Sequence, residues 1–254
     1  MADVIPEAGL PPLPGPESAL FLDFDGTLVE IAARPDLVVV PPDLPSVLQR
    51  LSNALGGALA IVTGRGLEVV RGFLPVPGLV VATEHGAVLD PPDAASPPLP
   101  SPPAAWREAA DRFAAAHPGA LAEHKRHGLV LHYRLAPEVG EAARTLAEAM
   151  AAELPDDFRV VPAHAAYEVR PRFADKGKAV HRLMARAAFA GRKPIFVGDD
   201  VTDEDGITAA YAMDGIGYRI PEDFSGQPAR FRAWLALAAD ALEAGQGPRR
   251  PGGG

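Results

Sequence analysis

The chain has 254 residues, 48% of them apolar and 22% charged, enough for one large domain or two modest ones with a real core. Its formal net charge of -9 argues against a nucleic-acid or anionic-membrane binder, and the lack of cysteine removes disulfide frameworks, thiolate nucleophiles and zinc ribbons. No apolar run approaches the ~18 residues of a membrane span, and the first basic residue is Arg34, so a cytoplasmic protein without a secretory signal is expected.

The opening "PEAGLPPLPGP" (6–16) offers little to bury and reads as part of a flexible arm over 1–17. "ALFLDFD" then reads as a strand, "LPSVLQRLSNAL" (44–55) as a helix, and "ALAIVTG" (58–64) as a second strand. "LEVVRGFL" is a short helix and "GLVVATEHG" (78–86) a third strand. Continuous apolar strands separated by helices indicate a parallel sheet covered on both faces. The Pro-rich "DPPDAASPPLPSPP" (90–103) has the composition of a linker.

Beyond it the pattern changes to a helix at about 104–116 and two strands in "LAEHKRHGLVLHYR", turning near His127 and Gly128. A long Ala-rich helix (137–154) and two short strands in "FRVVPAHAAYEVRP" follow, an order that suits a small α+β unit with an antiparallel sheet. The βα rhythm returns at "KGKAVHRLMARAAF", continues through a strand in "KPIFVGDD", and ends in an amphipathic helix at "FRAWLALAADALEA". The expected organisation is a core over 18–100 and 171–246, an inserted module over 101–170, and a flexible tail over 247–254.

In open parallel sheets ligands collect at the carboxyl ends of the strands. Here those ends carry Asp23 and Asp25, then Thr63, Gly64 and Arg65, then Glu84 and His85, then Asp199, Asp200 and Asp203. Asp23 and Asp25 stand two residues apart, a spacing that shares one face of a strand, and their mutual repulsion does nothing for folding. Acids at two strand ends of one sheet crowd negative charge into a crevice, which a hard divalent cation relieves, Mg2+ where phosphate is present. A carboxylate there can attack phosphorus, and a second can pass a proton to the leaving oxygen and take one from water. The Thr63 hydroxyl, N–H groups near Gly26 and Gly64, and the lysine opening a helix at "DKGKAV" can meet the phosphoryl oxygens. Taken alone, Asp203 also reads as a helix cap, Glu123 and Lys125 as a solvated strand face, and His132 as a structural histidine.

In order along the chain, "DFDGTL", "IVTGR", "KG" and "GDDVTDE" resemble the four motifs of the haloacid dehalogenase-like phosphatases, over residues 20 to about 220. The resemblance implies an α/β fold, a Rossmann-like parallel-sheet core with an inserted α+β cap domain. It makes Asp23 the nucleophile, and Asp25 the general acid/base that also lends Mg2+ its backbone carbonyl. Thr63 takes the place of the phosphate-holding hydroxyl, where many members have Ser, and Lys176 that of the lysine. Asp199 becomes the metal ligand, with Asp203 supporting and Asp200 an adjacent candidate.

At finer grain "EHGA", "EHKRHGLVLHYR", "YEVRP" and "GDDVTDED" look like the trehalose-6-phosphate phosphatases. That likeness implies that Glu123, Lys125 and Glu168 grip the distal glucose. Further substrate-binding candidates are Gly64 and Arg65, Glu84, which also reads as a turn residue but lies at a strand end facing the crevice, and His132. A typical member has an acid where this chain has His124, which strand alternation turns away from Glu123 and Lys125. The expected activity is Mg2+-dependent hydrolysis of trehalose 6-phosphate through an aspartyl-phosphate, by a monomer with a sugar-phosphate partner, no nucleic acid and no membrane. The alternatives are a capped phosphatase for another sugar phosphate, and a catalytically silent sugar-phosphate sensor or synthase partner. A silent protein is free to lose Asp23 or Asp25, and both are present.

Overall fold

A computed structural model describes residues 9–92, 99–163 and 165–246. In chain order the elements are β1 (Ser18–Leu22), α1 (Leu44–Ala54), β2 (Leu59–Val62), α2 (Leu67–Phe73), β3 (Val80–Thr83) and β4 (Val88–Asp90). Next come α3 (Ala104–Ala116), β5 (Leu121–His124), β6 (Leu129–His132), α4 (Gly140–Glu153), β7 (Phe158–Ala163) and β8 (Ala166–Pro171). The last part holds α5 (Lys176–Met184), β9 (Lys193–Gly198), α6 (Glu204–Tyr211), β10 (Ile216–Arg219), α7 (Ile220–Asp223) and α8 (Pro228–Gln246).

The strands make a six-stranded sheet in the order β10-β9-β1-β2-β3-β4 and a separate four-stranded sheet in the order β5-β6-β8-β7. Neighbours in the large sheet run parallel except β4, which pairs antiparallel with β3. Every pair in the small sheet is antiparallel. Each sheet has its own hydrophobic cluster, the larger around β1, β2 and β9 and the smaller around Trp106, Phe113, Leu131, Met150 and Phe158.

β1 lies at the centre of the large sheet and is buried along its whole length, as "SALFL" demands of a strand covered on both faces. The pairing of Leu22 with Val197 and with Ile61 sets the register. It brings Asp23 and Asp199, each just beyond its strand, to the same edge of the sheet, with Thr63 on the other side. Helices leave β1 and β9 in opposite directions, so this edge is the topological switch point where doubly wound sheets bind ligands.

Several features differ from the reading of the sequence. β4 and β10 are strands of only three and four residues at the two edges of the sheet, too short for periodicity to reveal. α6 lies in the stretch after "GDDVTD", whose run of acids hides its apolar face. The period-2 argument for Asp23 and Asp25 lapses, because β1 ends at Leu22 and Asp25 only forms an isolated bridge with Val29.

Residues 9–17 do not form part of a flexible arm. Leu10 and Leu13 pack against the core, and the Trp234 indole N–H donates to the Pro11 carbonyl at 2.9 Å. The aromatic groove of α8 supplies this segment with a burial site that its own composition does not reveal. Residues 1–8 and the expected tail over 247–254 lie outside the described residues.

Trp234 is fully buried, stacked on Phe231 and edge-on to Phe224 and Tyr218. Trp234→Ala should cost about 3–5 kcal/mol of unfolding free energy in urea titrations. Trp234→Phe keeps the packing but orphans the Pro11 carbonyl, an expected loss of about 1 kcal/mol. A Phe variant as stable as the parent would mean that this hydrogen bond does not hold the N-terminal segment.

Candidate active site

Beyond the ends of β1 and β9 three carboxylates converge. Asp23, Asp199 and Asp203 each offer an oxygen within 4.8 Å of the others. The ammonium of Lys176, at the start of α5, stands 2.7 Å from Asp23 Oδ1 and 2.7 Å from Asp203 Oδ1. The second oxygen of Asp203 accepts the backbone N–H groups of Asp199 and Asp200. Thr27, which the sequence reading did not single out, donates its hydroxyl to Asp199 Oδ1 at 3.3 Å. Gly26 adopts a left-handed φ of +76°, and a Cβ there would lie 2.0 Å from Asp199 Oδ2. Glycine at that position lets the two strand ends approach.

One ammonium cannot neutralise three acids, of which Asp23 and Asp203 are buried and Asp199 half-buried. Burial, reinforced by Asp203 and opposed by Lys176, pushes the Asp23 carboxyl well above its usual range. Burial, with Asp203 and Asp200 adding to it, pushes Asp199 up to about 7. Burial also raises Asp203, against the pull of Lys176. Lys176 goes upward, because the surrounding acids outweigh its own burial. A cluster of hard oxygen donors with unrelieved repulsion is suited to a divalent cation. Asp200 is engaged locally: its carboxylate caps the following turn, accepting from the Thr202 N–H at 2.7 Å.

Asp25 is held differently. Arg65 forks onto it through Nε and Nη2, both at 2.7 Å, and donates Nη1 to the Pro35 carbonyl. The guanidinium lies 5.5 and 5.3 Å from the ring centres of Phe24 and Phe73, which stack on each other beside it. Arg65, expected to bind substrate, is therefore committed to a carboxylate of its own chain. Thr63 is buried, and its hydroxyl accepts the Arg65 backbone N–H at 3.2 Å.

The small sheet closes the other side. Glu123 and Lys125 on and just after β5, His132 on β6 and Glu168 on β8 share the face turned to the large sheet, while His124 lies on the opposite face, bonded to Asp111 of α3. Lys125 Nζ meets Glu168 Oε1 at 2.5 Å, and His132 Nε2 lies 2.8 Å from Glu123 Oε2. Burial works against ionisation of Glu168, yet His85 and Lys125 hold it well below the usual carboxylate range.

Both sides line one cavity of about 490 Å³, within the range of small-molecule sites. It brings together Asp23, Asp25, Thr63, Gly64, Arg65, Lys176, Asp199 and Asp200 with Glu123, Lys125, His132 and Glu168. Glu84 does not reach it: its two oxygens accept the backbone N–H groups of Arg126 and His127. Arg134, beside His132, donates to the Ala32 carbonyl and so ties the small sheet to the core.

A family profile described as trehalose-phosphatase matches residues 21–221. The chain belongs to the trehalose-phosphatase family, a family of phosphoric monoester hydrolases. It is 39% identical over 204 residues to a probable trehalose-phosphate phosphatase of Sinorhizobium fredii, covering 80% of this chain and 77% of that protein. It is 35% identical over 234 residues to the trehalose-6-phosphate phosphatase of Escherichia coli, covering 89% and 88%.

Among solved structures, a trehalose-6-phosphate phosphatase related protein superposes with a TM-score of 0.70 at 22% identity, covering 89% of this chain and 99% of that one. The C-terminal domain of a C. albicans trehalose-6-phosphate phosphatase gives a TM-score of 0.66 at 22% identity over 88% and 93%. The structural likeness shows the α/β phosphatase fold.

For a phosphatase of this family the Arg65–Asp25 fork predicts a kinetic effect. Arg65→Ala frees the Asp25 carboxylate and the Pro35 loop, and on the sequence expectation that Asp25 is the general acid/base kcat should fall by about 10-fold or more, part of the 10²–10⁴-fold that such a group contributes. Arg65→Lys should recover only part of it, because an ammonium cannot make the fork. Parent-like turnover in Arg65→Ala would remove Arg65 from the machinery.

Proposed function

We propose that this chain hydrolyses trehalose 6-phosphate to trehalose and phosphate in a Mg2+-dependent reaction through an aspartyl-phosphate on Asp23. The observation that carries this reading is the single cavity with phosphate chemistry on one bank and paired sugar-binding groups on the other. The four-stranded module acts as the cap over the sugar. Metal ligands in this reading are Asp23, Asp199 and the Asp25 backbone carbonyl, with Asp203 supporting. Mg2+ bound there would neutralise the phosphate and relieve the repulsion among the acids.

Asp23 presents its carboxylate oxygen to phosphorus while Lys176 holds the other oxygen. The bond from phosphorus to the sugar oxygen breaks, and Asp25 delivers a proton to that oxygen. When Asp25 carries the proton, one of its oxygens gives up its bond to Arg65. Water then attacks the phosphorylated Asp23, Asp25 takes the water's proton, and phosphate leaves. Thr63 and the N–H groups near Gly64 meet the phosphoryl oxygens.

On the cap, each Glu168 oxygen keeps a lone pair beyond its protein partner, and Glu123 and Lys125 add an acceptor and donors for sugar hydroxyls. Discrimination among sugars falls to these groups. Phosphate release should be fastest from trehalose 6-phosphate in a panel of sugar phosphates, and excess chelator should abolish it. Faster release from another sugar phosphate would transfer the reading to that substrate. Glu123→Ala and Lys125→Ala should each lower the ratio of kcat/KM for trehalose 6-phosphate to that for 4-nitrophenyl phosphate by about 10-fold or more, the scale of a lost charged hydrogen bond.

The metal reading has a signature in stability. Asp199 has its carboxyl raised to about 7, whereas an unfolded aspartate ionises near ~4. A raised carboxyl favours the folded state while protonated, so its contribution is present at low pH and is lost as pH climbs through both values. A cation on the ionised cluster cancels that loss. Mg2+ should therefore raise Tm by more at pH 8 than at pH 5.5, and an equal rise at both would remove Asp199 from the ligands.

A further inference from the structure

β3 does not simply end at Thr83. Glu84 and His85 both take left-handed φ values, 50° and 55°, and Gly86 follows at 90°. Successive left-handed residues that bear a Cβ are unfavourable, and such conformations persist where surrounding structure holds them. Here the surroundings are the loop of Thr63, Gly64 and Arg65 after β2, the phosphate loop of the proposed reaction. Glu84 N–H donates to the Arg65 carbonyl and His85 N–H to the Thr63 carbonyl, both at 2.9 Å. The His85 ring also lies directly on Gly64, where a Cβ would come within 2.5 Å of Nε2.

Both side chains also reach the cap. Glu84 Oε1 accepts from the Arg126 N–H at 2.8 Å and Oε2 from the His127 N–H at 2.7 Å, gripping the turn between β5 and β6. His85 Nε2 stands 2.9 Å from Glu168 Oε2, while Lys125 holds Oε1 of the same carboxylate. Two consecutive residues, Glu84 and His85, thus join the Thr63–Arg65 loop to the cap strands that carry Glu123, Lys125 and Glu168.

Nothing in packing requires a histidine at this place. Its Nδ1 is buried with no hydrogen-bond partner, a cost that an apolar side chain of similar size avoids. Burial, opposed by Glu168, drives its pKa down to about 4, so the ring is neutral and has one N–H to give. Glu168 is the acceptor within reach.

We propose that His85 is a specificity-determining positioning residue, whose Nε2–H fixes the Glu168 carboxylate for a hydroxyl of the distal sugar ring while Glu84 registers the cap on the same turn. The proposal rests on the reading that Glu168 touches the sugar. A disaccharide phosphate that fills both banks engages the strained turn from both sides, and a small phosphate ester engages it only through the phosphate loop.

The test is steady-state hydrolysis of trehalose 6-phosphate and 4-nitrophenyl phosphate by the parent, His85→Ala, His85→Gln, Glu168→Ala and the double variant His85→Ala/Glu168→Ala. His85→Ala should lower the ratio of kcat/KM values, trehalose 6-phosphate over aryl phosphate, by about 10-fold, with KM for the sugar rising. His85→Gln, whose amide N–H reaches about as far as Nε2, should restore most of the ratio. The double variant should lose no more selectivity than Glu168→Ala, because the two residues act as one unit.

An unchanged ratio in His85→Ala, a Gln variant as poor as Ala, or additive losses in the double variant would each overturn the proposal. Should His85→Ala fail to fold, His85→Leu, which fills the space without an N–H, takes its place: a fall in selectivity that His85→Gln restores supports the proposal, and parent-like selectivity in His85→Leu overturns it. A parent that ignores trehalose 6-phosphate overturns the functional reading itself. A parent that turns it over, with a Glu168→Ala loss and an indifferent His85, overturns only this inference.

Discussion

The repulsion among Asp23, Asp199 and Asp203 is the constraint around which the rest of the molecule is arranged. Three carboxylates with oxygens within 4.8 Å of one another, two buried and Asp199 half-buried, balanced by one ammonium, do not assemble spontaneously. They are forced together by the register of β1 against β9, which rests on the burial of Phe21, Leu22, Phe196 and Val197. The hydrophobic core therefore supplies the free energy that holds an electrostatically unfavourable site in place. What stays unrelieved appears as raised carboxyl groups on Asp23 and Asp199.

The opposite bank is built on a different balance. Glu168 is buried but paired with Lys125 and His85, and Glu123 with His132, so its charges are mutually satisfied without any ligand. Buried pairs of this kind add little net stability compared with apolar residues, yet breaking one leaves an uncompensated charge. They fix side-chain orientation instead. In the proposed reaction the under-neutralised bank handles the phosphate and the self-neutralised bank reads the neutral sugar.

The two banks belong to separate sheets with separate cores, and few side chains bind them into one cavity. Glu84 and His85 do so from β3, and Arg134 does so from the cap side by its bond to the Ala32 carbonyl. Arg65 stands where the phosphate loop, Asp25 and the Pro35 segment meet. The chemistry and the substrate reading are thereby joined through a handful of polar contacts, and the cores on either side pack independently.

The sequence by itself determined the βα rhythm, the antiparallel module inserted into it, and the acids, threonine and lysine at strand ends. These follow from local patterns: continuous apolar strands, helical spacing, and short motifs at element boundaries. It also placed His124 opposite Glu123 and Lys125, since alternation along a strand needs no tertiary information.

Only the tertiary structure decided which partners those side chains take. Arg65 turns to Asp25, Glu84 to two N–H groups of the cap, and Asp200 to its own helix turn. Thr27 and His85 enter the site through contacts with residues 172 and 83 positions away. Leu10, Leu13 and Pro11 find Trp234 across nearly the whole chain. A sequence records which groups can donate, accept or be buried. Which of them meet depends on strand register and on the packing of remote elements, and those are set by the summed burial of the whole core.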